Sequence, residues 1–432
     1  MSTIPGHETH QYTVTTVCIN RPMYVNISFD RTAHTERRKR EPGMSDERAA
    51  TGSRLETARA TVDDRIDRRE FLRTAASGGY AVLVANALGV EDVLGADDGD
   101  VEIVTALVRS DPTDPFSLEE RTRTVPARWH AAVNKAFELN DLLARVGFTG
   151  YLGSAVVPGA YDSESATVSV GVSREGSSIP ELFGELIEGV SFSTDTIVDI
   201  DALEQTPDSA EPRFASNLED GFVPSGVACE TPSSLATLGP ALYDPAGERT
   251  LFVTAEHAFE TASDLTNERV TVPVDGADSV ELGRVDSAYP VEDVATIEPT
   301  GPLQPASLID APTSVRVRGQ LTRFGIADLI ARDRKLEKVG ALTGHTTGRI
   351  QGVDAVTCFT DNFCRWGQLR WGGEMDLTDG DSGSVSYYDD PDGDPQDVLV
   401  AGFNNARTWW PGQSYVWGVA AYTLTDSYGY HF

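Results

Sequence analysis

The feature that most constrains this chain lies in its second half. From Phe222 to the C-terminus, short apolar runs alternate with turn residues, which is the grammar of an all-β fold. Residues 235–243, 250–254, 270–274 and 294–297 read as strands. A second set follows at 314–321, 349–356, 367–371, 383–388, 398–403 and 414–424. Between the sets, Pro299, Pro302, Pro305 and Pro312 punctuate a connector. Two β units, about 222–298 and 313–432, joined by such a linker fit an all-β double antiparallel barrel, in which closure removes exposed strand edges.

The preceding stretch has a different texture. Residues 101–108 read as a strand. Over 127–146, Trp129, Ala132, Val133, Ala136, Leu139 and Leu143 recur at helical spacing on one side. Residues 151–157 and 166–172 read as strands around Pro158-Gly159, Ser178 can cap a short helix running to Glu188, and 191–200 is a further strand. The order β-α-β-β-α-β is the split βαβ, ferredoxin-like pattern. It predicts a small α+β domain over 97–220, ending in an Asp, Ser and Pro-rich linker at 204–214. No catalytic cluster appears in it, and His130 beside Trp129 on a helix reads as packing.

Charge bounds the partners. The chain of 432 residues carries 35 Lys and Arg against 67 Asp and Glu, a net −32. A carboxylate-dense surface repels nucleic acid and anionic lipid. The acidity is spread along the chain, which suits a solvated surface in high salt, where self-repulsion is screened, and the composition resembles that of salt-loving archaeal proteins. Residues 1–43 depart from it, with Arg21, Arg31, Arg37, Arg38, Lys39 and Arg40 against Glu8, Asp30, Glu36 and Glu41. They read as a mis-assigned upstream extension with Met44 as the true start, or as a disordered basic arm. Within 44–96, Asp67-Arg68-Arg69-Glu70-Phe71-Leu72-Arg73 precedes a weakly apolar run, 74–90, and resembles a twin-arginine export signal. Ala85-Asn86-Ala87 offers a cleavage site, with Ala96 as another. The run is too short and too rich in Gly and Ala to span a bilayer. The resemblance implies the twin-arginine translocase as a partner during export and a secreted protein. Cys358 and Cys364, six positions apart, can bridge the base of a loop in an oxidising compartment or stay as thiols.

Three residues carry candidate chemistry. His257 follows the apolar run 251–255, so a strand delivers an imidazole to a loop, where its near-neutral titration suits taking and returning a proton. Alone, such a His is more often structural. Asp293 heads the apolar run 294–297, where a carboxylate is costly to bury without a partner, and a His donating Nδ1–H would be one; alone, an Asp in so acidic a chain is nearly always a surface residue. Its neighbours Asp286 and Glu292 read as surface charges. Ser382 lies in Gly380-Asp381-Ser382-Gly383-Ser384. The glycines permit unusual dihedrals and close approach, so the N–H groups of Gly380 and Ser382 can form an oxyanion hole. Without a base and a carboxylate, the serine would be inert.

Taken together, Val253-Thr254-Ala255-Glu256-His257, Asp293-Val294-Ala295 and Gly380-Asp381-Ser382-Gly383-Ser384 resemble the three active-site blocks of chymotrypsin-fold serine proteases, in that fold's order. The bacterial and archaeal trypsin-like branch is the nearest in flavour. Lys338-Val339-Gly340-Ala341-Leu342-Thr343-Gly344-His345-Thr346-Thr347-Gly348 resembles a segment of its second barrel, and Val400-Ala401-Gly402-Phe403 resembles the strand that walls the primary specificity pocket. The resemblance covers about 222–432. It implies a cofactor-free endopeptidase acting on polypeptides, with Ser382 as nucleophile, His257 as base and Asp293 as its orienting acid. It implies a pro-region or accessory role for 97–220. Asp376, six residues before Ser382, stands where a carboxylate would select basic side chains, with Asp379 nearby and Gly402 in the pocket wall. Ser384 replaces the usual glycine. No activation cleavage that would free an N-terminus for Asp381 is evident, and His345 reads as structural. Asp390-Pro391-Asp392-Gly393-Asp394 lacks the full EF-hand register and reads as a solvated acidic loop. An esterase with the same triad and a non-catalytic binding protein on the same fold are the rivals.

Overall fold

The computed structural model of the chain describes residues 99–146, 150–173, 190–196, 211–216, 218, 220–259, 265–360, 363–410 and 413–432. The expected extension at 1–43, the export signal at 44–96 and the helix at 178–188 lie outside them, as does most of the linker at 204–214.

The first described elements are β1 (Asp100–Arg109), β2 (Leu118–Pro126), α1 (Ala127–Val146), β3 (Tyr151–Pro158), β4 (Ala166–Val172) and β5 (Val190–Thr196). There follow β6 (Phe222–Ser225), β7 (Ala228–Glu230), β8 (Leu235–Thr237), β9 (Leu242–Asp244), β10 (Arg249–Ala255), β11 (Arg269–Val272), β12 (Val280–Tyr289), β13 (Val294–Pro299) and β14 (Gln304–Ile309). The last part holds β15 (Val315–Leu321), α2 (Arg323–Ala331), β16 (Lys335–Gly340), β17 (Gly344–Thr360), β18 (Phe363–Trp371), β19 (Val385–Asp389), β20 (Asp397–Trp410), β21 (Gln413–Ala420) and α3 (Ala421–Tyr428). Among the described residues no helix is long and apolar enough to cross a membrane.

Two sheets organise these strands, and the fold is mostly β, as a chymotrypsin-like pair of barrels requires. One sheet is a seven-stranded path, β8-β7-β11-β12-β13-β10-β9, a half-barrel around Val227, Phe252, Val270, Leu282 and Ile297. In the other, β16-β17-β18-β21-β20-β19 pair antiparallel in sequence, and β19 returns to β16, so six strands close a ring. Closure satisfies every strand edge of the ring. A third cluster lies where the units meet, joining Val253 and Val294 to Val385, Val400 and Phe403.

Before residue 220 the structure departs from expectation. The charged run 118–126 is an unanticipated strand, β2, paired along its length with β1. Its alternating Glu, Arg and Thr leave one face in solvent, which hides it from an apolar-run reading. The described order opens β-β-α-β-β, and β1 pairs with β15 while β3 pairs with β17. The expected split βαβ sheet does not form among the described residues, because these strands complete the edges of the larger sheet instead. Trp129, Val133, Phe137 and Leu143 of α1 share one core with Leu336, Val353 and Trp371. The indole of Trp129 donates to Gly159 O (2.8 Å).

Two further readings change. The run 235–243 is two strands, β8 and β9, parted at Gly239-Pro240. The last strand stops at Ala420, after which α3 turns and ends at Gly429 in the left-handed region (φ +77°). Glycine takes that conformation without the clash a Cβ would bring.

Candidate active site

All five residues 251–255 are buried in β10, whose neighbours β9 and β13 flank it. Beyond Ala255 the chain enters a single 3-10 turn, Glu256–Phe259. Ala258 and Phe259 anchor the turn in the core, and the His257 side chain is left 38% exposed at its rim. The β10–β13 register pairs Ala255 with Val294. Antiparallel pairing therefore brings the residue just before Val294 to the end of the sheet where His257 stands.

That residue is Asp293, buried to 2% side-chain exposure. Its Oδ1 accepts from the His257 backbone N–H (2.9 Å), and the imidazole Nδ1 lies 2.8 Å from Oδ2 and 3.0 Å from Oδ1. The backbone at Asp293 is left-handed (φ +60°), a conformation costing a non-glycine residue about 1 kcal/mol or more. The carbonyl oxygen accepts from Glu256 N (3.3 Å) and Asn405 Nδ2 (2.8 Å), which hold the turn in place. Burial pushes the carboxyl up, but the hydrogen bond and charge of His257, with the charge of Arg365, outweigh it and hold Asp293 at about 2. The neighbouring carboxylates are engaged elsewhere: Asp286 pairs with Arg249 (2.9 Å), and Tyr428 bonds Glu292.

Ser382 reaches the same seam from the ring side. Gly380 and Gly383 both adopt positive φ, +97° and +98°. A Cβ on Gly383 would lie 2.1 Å from Thr237 O and 2.6 Å from Thr254 Oγ1, so only glycine lets the loop press against β8 and β10. Thr237 fastens it, with N–H to Ser382 O (2.9 Å) and Oγ1 to Gly380 O (2.8 Å). Asp381 is fully buried and points away from the seam. It accepts from Lys338 Nζ (3.1 Å), Leu342 N (2.8 Å), Thr343 N (3.1 Å), Thr343 Oγ1 (2.5 Å) and Thr378 N (3.1 Å). A lysine inside the ring thus supplies the cation that this carboxylate needs, without a freed N-terminus. Burial lowers the Lys338 ammonium's affinity for its proton and Asp381 opposes that. Among the described residues, the Gly380 and Ser382 N–H groups find no protein acceptor.

The structure therefore joins His257 and Asp293 directly and brings Ser382 to their seam through Asn405. The Ser382 hydroxyl donates to Asn405 O (3.2 Å) instead of to the imidazole. The same asparagine donates to Asp293 O and Glu292 O (3.1 Å), and its Oδ1 accepts from Val419 N (3.1 Å). Ser384, buried, accepts from Asn404 Nδ2 (3.3 Å), a bond a glycine could not make.

The two expected pocket residues lie in a turn and in a strand. Asp376 closes the 3-10 turn Glu374–Asp376 by accepting from Gly373 N (2.8 Å), and burial raises its pKa against that bond and Lys338. Gly402 sits inside β20, where a Cβ would press on Leu369 Cδ2 and Val419 O at 3.0 Å. His345 bonds Glu337 across the β16–β17 hairpin (2.8 Å), and His130 stacks on Phe324. In the acidic loop, Asp394 pairs with Arg316, and Asp397 just beyond it with Arg316 and Arg318. Cys358 and Cys364 form a disulfide, while Cys229 is a buried thiol pushed up to about 12 by desolvation.

Two residues at the site gave no sequence signal. Arg365 NH1 donates to Asp293 Oδ2 (2.7 Å), from a strand 72 positions away. Asn405 is the last residue of the buried run 397–405 of β20. Neither type is diagnostic, and only strand register brings them in.

No family model matches the chain, and no curated protein does. Among solved structures it is similar to a glutamic-acid-specific serine protease described as using a histidine triad in substrate binding (15% identity, 48% of this chain and 99% of that one, TM-score 0.35). It is also similar to protease A of Thermobifida fusca (17%, 48% and 97%, 0.35) and to a chymotrypsin of Cellulomonas bogoriensis (14%, 48% and 97%, 0.34). These likenesses are distant, and the chemistry is read from the site alone.

Proposed function

We propose that the chain is an exported serine endopeptidase of chymotrypsin-like double-barrel fold. The carrying observation is the buried Asp293 carboxylate on His257 Nδ1, at the seam that also holds Ser382 between two glycines of positive φ. In this reading Ser382 Oγ turns from Asn405 O to His257 Nε2 and attacks a peptide carbonyl carbon. The imidazole takes the hydroxyl proton, and Asp293 holds its tautomer and balances its charge. The oxyanion settles on the Gly380 and Ser382 N–H groups. Collapse of the tetrahedral species expels the amine, which takes the proton from His257. Water, deprotonated by the same imidazole, then releases the acyl group from Ser382.

Export through the twin-arginine route and a place outside the cell belong to this proposal. The disulfide at the β17–β18 tip supports an oxidising compartment. Residues 97–220 serve as a pro-region or accessory layer. The orientation of the Ser382 hydroxyl toward Asn405 O favours a second reading, a non-catalytic binding protein on the same fold. An esterase would use the same parts. Panels of fluorogenic peptides and of activated esters, run in molar salt with Ser382→Ala as control, separate them. Serine-dependent peptide cleavage supports the proposal, and serine-dependent ester turnover alone supports an esterase. Turnover equal in wild type and Ser382→Ala would overturn both.

A further inference from the structure

Asp293 shares one oxygen between two donors. His257 Nδ1 lies 2.8 Å and Arg365 NH1 2.7 Å from the same Oδ2. The Arg365 side chain is 15% exposed. It leaves β18 at a fixed point of the ring, since Arg365 pairs with Thr357 in the register that also pairs the bridged Cys358 and Cys364. The second unit thus delivers a cation to the acid of the first.

The chemical consequence follows from burial. A carboxylate this enclosed needs a cation, and a neutral imidazole is not one. If His257 were the sole partner, the pair would be drawn toward an imidazolium, which cannot act as a base. With Arg365 present, Asp293 stays ionised and paired while His257 is neutral. When the imidazole gains its proton, Arg365 repels the new charge. Among the described residues, the other titratable and polar groups around the imidazole are these. Glu256, on its own turn, is a half-buried carboxyl whose pKa is raised by burial and then by Asp293. Glu292 is bonded to Tyr428, Asp381 points to Lys338, and β20 contributes the neutral Asn405.

We propose that Arg365 is a positioning residue of the His257–Asp293 pair, fixing the carboxylate and setting the pH range over which His257 is a base. This rests on the reading of His257 as the general base. The two donor nitrogens stand no farther apart than the sum of their bonds to Oδ2. Two unit charges at such a distance, in an effective dielectric between about 20 and 80, shift a titration by about 0.5–2 pH units.

The test compares Arg365→Gln and Arg365→Met, which remove the charge, with Arg365→Lys, which keeps it. In a Ser382→Ala background, the His257 ring is titrated by nuclear magnetic resonance, its signal assigned by loss in His257→Gln. The neutral variants are expected to raise the midpoint by about 0.5–2 pH units, and the lysine variant to stay near the parent. In the Ser382 background, the acid limb of the fluorophosphonate labelling rate should move upward by the same amount. A merely structural arginine would lower the rate without moving the limb. Coincident midpoints in the parent, Gln and Met proteins would overturn the proposal, as would a lysine variant shifted as far as the neutral ones. Absence of labelling with the midpoint shift intact would sink the hydrolase reading and leave the role of Arg365 standing.

Discussion

Lys338→Met isolates the buried ion pair behind the glycine loop. Both side chains of the Lys338–Asp381 pair are 0% exposed, so the methionine leaves a carboxylate in the protein interior. Breaking a buried pair from one side costs about 3–5 kcal/mol. Asp381 keeps the N–H groups of Leu342, Thr343 and Thr378 and the Thr343 hydroxyl, which places the expected loss near the lower figure, about 3 kcal/mol. Asp381 lies between the two N–H donors, so its displacement also reaches the reaction. Misplacing one such donor lowers kcat by about 10²–10³. Denaturant unfolding gives the first quantity, and turnover of an activated ester gives the second. The pair is shielded from salt, unlike surface pairs, so the loss should persist in molar salt. Lys338→Met with Asp381→Asn removes both charges and should recover most of the stability. A single variant that loses under about 1 kcal/mol, against the range expected for buried pairs, would show that Lys338 and Asp381 do not act as a buried ion pair. So would a double variant no more stable than the single.

Other outcomes follow from the same geometry. Asp293 is held at about 2 against an ordinary carboxyl value of 3.8. The folded state therefore binds its proton less tightly than the unfolded state does. The resulting stabilisation, about 2 kcal/mol by linkage, is fully present above pH 4 and is lost as pH falls toward 2. Acid titration of unfolding should show this, and Asp293→Asn should flatten that part of the curve. Asn405→Ala removes the link between Asp293 O, Val419 N and the β20 backbone. It is expected to destabilise by about 1–3 kcal/mol in denaturant unfolding and to lower turnover. Cutting at a protease site engineered between residues 197 and 210 should leave the two pieces co-eluting under native conditions, because β1 pairs with β15 and β3 with β17. Release of a fragment spanning 99–196 from a folded remainder would contradict that pairing.

Much of the site was legible because its residues break the local pattern. The apolar run 251–255 reads as a strand that delivers His257 to a loop at its end. A carboxylate heading the run 294–297 is costly to bury without a partner, and His257 is that partner in the structure. The glycines of residues 380–384 implied positive φ, and both show it. What escaped depends on register between distant strands. Nothing local marks Arg365 as a ligand of Asp293, or Lys338 as the cation of Asp381, until β16, β18 and the loops are closed into a ring. The strand β2 leaves no apolar run because its solvent face is charged, and the N-terminal strands read as a sheet of their own because pairing with β15 and β17 leaves no sequence trace. The thiols at 358 and 364 were equally open to pairing or freedom until the hairpin register set them opposite each other.

On the proposed function, Ser382 is a nucleophile activated by His257 and Asp293. Mass spectrometry of the folded protein after fluorophosphonate treatment in molar salt tests it most directly. The expected result is one phosphonyl adduct on the peptide holding Gly380-Asp381-Ser382-Gly383-Ser384, absent in Ser382→Ala and strongly slowed in His257→Ala. A folded wild-type protein that takes up no label, or takes it up elsewhere, would rule out Ser382 as that nucleophile.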